Sequence, residues 1–326
     1  MAQARKSDIL LMALVSYVWG TGISAIKYTQ DWMGPVVLNL WTLGISILVL
    51  IPFAYAEYRR EQAIRGVLGG RDYLDYGVMG CLGLTSMTLL YTWGARLSLA
   101  ANLALITTMV PILTALIAVL VLKERLTRAR ILGLIVALLG VLIISDIQWG
   151  SLGILGTYLT GNLLLLAGAV GNAIYVVFGK KLLERSGPMT VLFWGQALGF
   201  IGSLPFLYVE PFHLSSVKLY TLYTWLALIF LGAVFYALAM VVFYKILVRL
   251  DASQIMVFAY LQPVFGVMMA AILLHERITV SMVIGGLLVI AGTLVVAFER
   301  PVSVEIGAQQ NEMSLTGSRN PKPFEN

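Results

Sequence analysis

Ten runs of apolar residues occupy most of this chain, at 9–28, 35–56, 73–97, 100–122, 129–145, 158–182, 189–209, 219–247, 252–274 and 280–298. An α-helix needs about 20 such residues to cross the hydrocarbon core of a bilayer. Composition agrees, with 60% hydrophobic and only 12% charged residues. A soluble domain carries about 25% charged residues, too many fewer being available here to cover a wet surface. The chain therefore reads as an all-α, multi-pass membrane protein of ten transmembrane helices. Its N-terminus has the charged-then-apolar layout of a signal peptide, and the length of the run makes it an uncleaved first span.

Lysine and arginine set the orientation. With the N-terminus in the cytoplasm and the runs alternating, eighteen basic residues fall on the cytoplasmic side. Lys27, Arg96, Lys218 and Arg277 fall on the other. That is the positive-inside bias, and it places both termini in the cytoplasm. It also accounts for the net charge of +6 without nucleic acid as a partner. The polar tail 301–326 reads as disordered and cytoplasmic.

The chain repeats itself. "GPVVLNLWTLGISILVLIPF" from Gly34 and "GPMTVLFWGQALGFIGSLPF" from Gly187 share Gly-Pro, a Trp and a closing Pro-Phe at an offset of 153. Lys27 and Lys180 match at the same offset. Further on the offset is 152: Pro111 with Pro263, Glu124-Arg125 with Glu276-Arg277, Thr127 with Thr279, Gly133 with Gly285, Gly140 with Gly292. The expected units are 1–147 and 148–300, five helices each. Five is odd, so the second unit starts on the opposite side, and the halves are inverted about an axis in the membrane plane. Such a pair can exchange conformations and open a central cavity to either face.

The two endings, "TTMVPILTALIAVLVLKERLTRARILGLIVALLGVLII" and "AYLQPVFGVMMAAILLHERITVSMVIGGLLVIAGTLVV", resemble the EamA family of the drug/metabolite transporter superfamily. "WGTGISAIK", from Trp19 to Lys27, resembles that family's first helix. The resemblance covers residues 9–298 and implies an integral membrane carrier, in a bacterial inner membrane, with a cavity ringed by the first, third, fourth, sixth, eighth and ninth helices. The family often has an acid just before the second-half proline. Here the residue is Gln262, so a coupling role for that acid does not transfer.

Polar side chains within the runs are the candidate site, because lipid cannot satisfy them. Substrate-binding candidates are Trp19, Ser24, Thr85, Thr88, Tyr91, Asn102, Thr107, Asn172, Tyr175, Tyr236, Gln254, Phe258 and Tyr260. The simpler reading of any one Ser or Thr is a bond to a carbonyl of its own or a neighbouring helix. Pro111 and Pro263 are hinge candidates, since each removes a backbone donor. Lys27 and Arg96 either snorkel to the interface or meet an entering anion. "GQALG", Gly195 to Gly199, is a helix contact or a dimer face, leaving monomer and homodimer both open. Glu124 and Arg125 are expected to cap the turn between the fourth and fifth helices.

Enzyme chemistry finds no foothold. "HERIT" lacks the second His of a zinc helix, Thr279 standing in its place. "GTGISA" lies within a span with no strand before it, so small-residue packing explains it better than nucleotide binding. The single cysteine, Cys81, excludes a CxxC motif. No cofactor or metal is expected. The reading is a secondary transporter of a small amino acid-like or neutral metabolite, exported by alternating access. The alternatives are a channel or lipid scramblase on the same fold, or a carrier of cationic drugs, purines or sugars. The absence of Asp or Glu at mid-span weighs against cationic drugs.

Overall fold

The computed structural model describes residues 5–61, 70–98, 106–144, 158–210, 217–265, 268 and 280–298. Every regular element among them is helical. In chain order these are α1 (Lys6–Thr29), α2 (Pro35–Glu61), α3 (70–97), α4 (Val110–Leu122), α5 (Arg128–Ile144), α6 (Leu159–Leu182), α7 (Pro188–Tyr208), α8 (Leu222–Leu247), α9 (Ala252–Phe265) and α10 (Val280–Ala297). Among the described residues, the stretches Pro35–Arg59, Leu159–Leu182, Pro188–Tyr208 and Leu222–Leu247 are each long and apolar enough to cross a membrane. The described parts of α4 and α9 are shorter apolar helices. Large apolar side chains stand exposed along the rods, Leu82, Leu120, Trp194 and Leu287 among them. In water this surface would be costly; in lipid it is the expected one.

Matching helices of the two repeats pack against each other, and they run antiparallel. A Cβ built on Gly133 would stand 2.7 Å from the Gly292 carbonyl oxygen. One built on Gly140 would stand 2.6 Å from that of Gly285. Numbers rise along α5 as they fall along α10. The offset of 152 turns the contact Gly133–Gly292 into Gly285–Gly140, so one contact maps onto the other. The same sense holds for α2 and α7: Asn39 Nδ2 donates to Ser203 Oγ at 2.7 Å, and the Thr190 amide donates to Glu57 at 2.7 Å. Glycine here serves close approach, since lipid offers no hydrophobic drive between helices and backbone packing must hold them.

Helical irregularities are duplicated too. Residues Val78–Leu84 of α3 and Phe230–Leu238 of α8 are π-helical, with the Thr85 amide donating to Gly80 and the Ala239 amide to Val234. An offset of 152 carries the first segment onto the second. A π turn widens the helix and frees carbonyls, a feature frequent at functional sites. Before the two prolines the winding also changes: residues 108–109 form a turn, and Val257–Tyr260 is a 3-10 stretch. Pro111 occupies the first turn of α4, where its missing donor costs nothing. The break expected at Pro111 therefore lies just before it and not within a continuous helix.

The α5–α10 crossing gives a direct stability test. Gly140→Val would push side-chain atoms into Gly285 and Val289 backbone atoms, which cannot step aside. Its melting temperature in detergent should fall, for an overpacking cost of about 1–3 kcal/mol. Gly77→Ala, where a Cβ meets nothing within 4 Å, should leave stability unchanged or raise it slightly.

Candidate functional site

The two ends of the bundle differ. At the end holding the start of α1, polar side chains tie the helices together. Arg249, past α8, pairs with Asp8 of α1. Lys181 of α6 pairs with Asp75 of α3 at 2.8 Å, and Arg185 with Asp72 at 2.5 Å. The hydrogen bond that Arg185 donates to Asp72 raises the guanidinium pKa above its usual value. Lys180 Nζ donates to the Leu247 carbonyl at 2.6 Å, joining the ends of α6 and α8.

The most buried of these clusters sits on the "KERLTRAR" turn. Glu124 Oε1 accepts from the Ala252 amide at 2.8 Å, and Oε2 accepts from Ser253 Oγ at 2.6 Å. Glu124 thus caps the first turn of α9, a helix of the other repeat, where a negative charge meets the positive end of the helix dipole. The expected local hairpin cap is replaced by a bond between repeats. Arg125 is exposed. The buried cation is Arg130, whose guanidinium is 2.7 Å from Asp251 and donates to Ser253 Oγ at 3.0 Å. Glu276 and Arg277 lie outside the described residues.

Toward the opposite end, α1, α2, α3 and α8 part to leave a narrow cleft, open on one side, with free space of about 20 Å³, room for about one water. Its walls are Ile26, Pro35, Leu38, Asn39, Thr42, Thr88, Thr92, Leu231 and Tyr236. Both π-containing helices contribute, α3 through Thr88 and Thr92, α8 through Leu231 and Tyr236. The side chain of Gln196 braces the α8 π segment from behind, Nε2 donating to the Tyr236 carbonyl at 2.5 Å. Thr85 does the same for α3, its hydroxyl reaching the Gly199 carbonyl of α7 at 3.1 Å.

The repeat offsets locate this cleft's counterpart. It is formed by Gly179, Pro188, Val191, Leu192, Gly195, Met240, Tyr244, Met79 and Leu84. Val191, Leu192, Met79 and Tyr244 are fully buried there, and Met240 and Leu84 nearly so. A Cβ on Gly179 would collide with the Tyr244 hydroxyl at 2.4 Å. Ile26, Thr92 and Tyr236 of the cleft are half-buried, whereas their counterparts Gly179, Tyr244 and Leu84 are buried; the first place keeps a narrow polar opening, and the second is filled, the Tyr244 hydroxyl buried in it. The filled one lies toward the ion-paired end.

Of the candidates named from sequence, the structure places Thr88 and Tyr236 on the cleft. Trp19 packs on Phe235 and Phe243, with ring centroids 6.5 and 5.5 Å away. Thr85 bonds helix to helix, as above. The Tyr91 hydroxyl of α3 is buried without a hydrogen-bond partner, and Asn172 of α6 is half-buried. Tyr175 stacks edge-on to Tyr244 at 6.1 Å. Gln254 Nε2 reaches the Val296 carbonyl at 3.3 Å, tying α9 to α10. Phe258 is buried, its carbonyl accepting from Ser16. Tyr260 is buried beside it in sequence, its hydroxyl without a partner. Thr107 is half-buried ahead of α4, and Pro263 lies in α9. Asn102, His213, His275 and the tail 301–326 lie outside the described residues, as do the side chains of Ser24 and Lys27. Arg96 is exposed at the end of α3, as a snorkelling residue would be. Sequence reasoning missed Asn39 and Thr42. Their signal was present, since Asn39, Thr42 and Ser46 share one face of the second run at helical spacing. Among the described residues, no group of three or more metal-ligating side chains gathers.

Comparison with known proteins agrees with this architecture. The profile of the EamA-like transporter family matches residues 6–146 and 159–298. An Archaeoglobus fulgidus protein named "Uncharacterized transporter" is 26% identical over 89% of this chain and 99% of its own length. A Salmonella typhimurium protein named "Probable amino-acid metabolite efflux pump" is 27% identical, covering 90% of this chain and 95% of itself. A Streptantibioticus cattleyicolor protein named "Probable terminal-alkyne amino-acid exporter" is 26% identical, covering 87% and 91%. A solved crystal structure superposes with a TM-score of 0.73 at 22% identity, over 90% of this chain and 96% of the other, which shows a shared fold.

The buried cluster makes its own prediction. Arg130→Met should lower thermal stability in detergent by about 3–5 kcal/mol, because it removes the buried guanidinium that pairs with Asp251 and faces Glu124. Arg185→Met, with its side chain 51% exposed, should barely shift the same melting curve. The match covers both repeats and is borne on apolar helices suited to lipid, so the chain is an integral, multi-pass membrane protein that belongs to the EamA-like transporter family.

Proposed function

We propose that the protein is a secondary carrier of a small amino acid-like or neutral solute, working by alternating access and exporting it across a bacterial plasma membrane. The observation that carries this reading is the pair of repeat-related clefts, one open and one filled. A pore would keep both open at once. A carrier needs one shut while the other is open, and a duplicated, inverted fold supplies two such states by exchanging the halves' conformations.

In this reading residues 1–147 and 148–300 form two inverted five-helix units, and 301–326 form a cytoplasmic tail. Both termini face the cytoplasm, because the ion-paired end also carries most of the Lys and Arg. The cleft then opens outward, and the Glu124–Arg130–Asp251–Ser253 cluster holds the cytoplasmic end shut. The breaks before Pro111 and Pro263 are the hinges on which α4 and α9 tilt. The names of the Salmonella and Streptantibioticus relatives favour amino acids and export. The neutral, polar-to-apolar lining of the cleft suits such a solute better than a lone metal ion or a bulky cation.

Counterflow tests it. Proteoliposomes preloaded with each standard amino acid in turn should take up the same labelled amino acid saturably for at least one of them. Thr92→Trp, which fills the cleft, should abolish that uptake. Trp194→Leu, on the lipid-facing side, should retain it. Uptake that rises linearly with concentration, or that survives Thr92→Trp, would contradict the carrier reading.

A further inference from the structure

The cleft's polarity has a direction. Ser203 Oγ donates its one proton to the Gly199 carbonyl at 2.7 Å. It can therefore only accept from Asn39, which fixes the Asn39 amide with Nδ2 toward Ser203. Asn39 Oδ1 is left as an acceptor, buried and without a partner, on a residue that lines the cleft. Asn39 itself is only 4% exposed. The three threonine hydroxyls of the lining are committed in the same way. Thr42 donates to the Leu38 carbonyl at 2.9 Å, Thr88 to that of Leu84 at 2.9 Å, and Thr92 to that of Thr88 at 2.7 Å. Each hydroxyl has spent its proton and retains oxygen lone pairs. Gln196 repeats the pattern behind Tyr236, Nε2 used on a carbonyl and Oε1 buried without a partner. Among the described lining residues there is no Lys, Arg or His.

We propose that this cleft recognises its solute by an ammonium or amine group, held by Asn39 Oδ1 with the Thr42, Thr88 and Thr92 hydroxyl oxygens. This rests on the carrier reading and names which end of the solute the cleft grips. A wall of four such acceptors, against the Tyr236 hydroxyl as the one lining side-chain donor not committed to a carbonyl, satisfies N–H groups better than a carboxylate. Rejection of a group that strands a site's polar atoms is stronger than rejection by shape alone. The apolar wall of Ile26, Pro35, Leu38 and Leu231 then receives the remainder of the solute. The filled counterpart carries Leu192, Gly195 and Met240 where Asn39, Thr42 and Thr88 stand, so the amine-binding wall belongs to one half only.

Matched solutes test this on the purified full-length protein. Three sets serve, each an amino acid with its decarboxylated amine and its deaminated acid. They are alanine, ethylamine and propanoate; leucine, 3-methylbutylamine and 4-methylpentanoate; phenylalanine, 2-phenylethylamine and 3-phenylpropanoate. Binding is read as thermal stabilisation against concentration. In the set whose amino acid binds, the amine should keep its affinity within about tenfold, and the acid should lose about a hundredfold. Asn39→Asp should tighten amine binding by about tenfold, and Thr88→Val, close in shape, should weaken it by about threefold. Asn39→Leu should remove the preference for amine over acid. Equal binding of amine and acid, or an unchanged preference in both Asn39→Leu and Thr88→Val, overturns the ammonium assignment and leaves the carrier reading standing. Binding by no member of any set overturns the ammonium assignment, and counterflow with the standard amino acids then decides the carrier reading separately.

Discussion

The close crossing of α5 and α10 is the contact on which the arrangement of the two repeats depends. Gly133 and Gly140 meet Gly292 and Gly285 at backbone distance, in antiparallel sense, so each repeat presents the same surface to the other. In lipid, greasy side chains gain little by leaving one apolar medium for another. What remains is dense packing and whatever polar bonds can be made. A pair of glycines two turns apart lets two helix backbones touch along one seam. Because the seam is self-complementary under the repeat, it relates the two halves, whose α1–α4 and α6–α9 walls pack beside it.

Those walls are built alike and filled differently. Matching π-helical stretches lie in α3 and α8, and the winding changes ahead of both prolines, as a turn before Pro111 and a 3-10 stretch before Pro263. These features widen or weaken a helix at fixed places without committing it to one packing. The side chains then decide which place opens. Tyr175, Tyr244 and Met79 plug one position, and Asn39, Thr42, Thr88 and Tyr236 leave a narrow opening at the other. The ion pairs lie at the plugged end. Arg130 is the most buried cation among them, and it joins a helix of one repeat to the start of a helix of the other.

Much of this was legible in the sequence because lipid imposes simple rules. Apolar runs, the basic bias and the repeat offset all follow from the bilayer and from duplication, and each is written in residue order. The site was less legible. Thr88 and Tyr236, polar residues in apolar runs, line the cleft. Thr85, Gln254 and Tyr175 met the same criterion and proved to be bonds or packing between helices. Polarity inside a span marks a need for a partner, and whether that partner is a solute or a neighbouring helix depends on distances between segments far apart in sequence. Asn39 shows the converse. It was passed over as part of a helix away from the expected cavity, yet its amide is oriented by Ser203, 164 positions away. Glu124 is similar: the "KER" triplet reads as a local turn, and its carboxylate caps α9, 128 positions on.

The central claim is that the open and filled clefts exchange roles across the membrane. Accessibility of single cysteines in a Cys81→Ser background measures this directly. Thr88→Cys and its counterpart Met240→Cys would be labelled with a membrane-impermeant thiol reagent applied to one side of oriented vesicles at a time. The account predicts that Thr88→Cys reacts from outside and Met240→Cys from the cytoplasmic side. It further predicts that Arg130→Met, by loosening the cytoplasmic end, shifts reactivity from the first to the second. Reaction of both positions from the same side, or simultaneous full reactivity of both with no response to Arg130→Met, would contradict it.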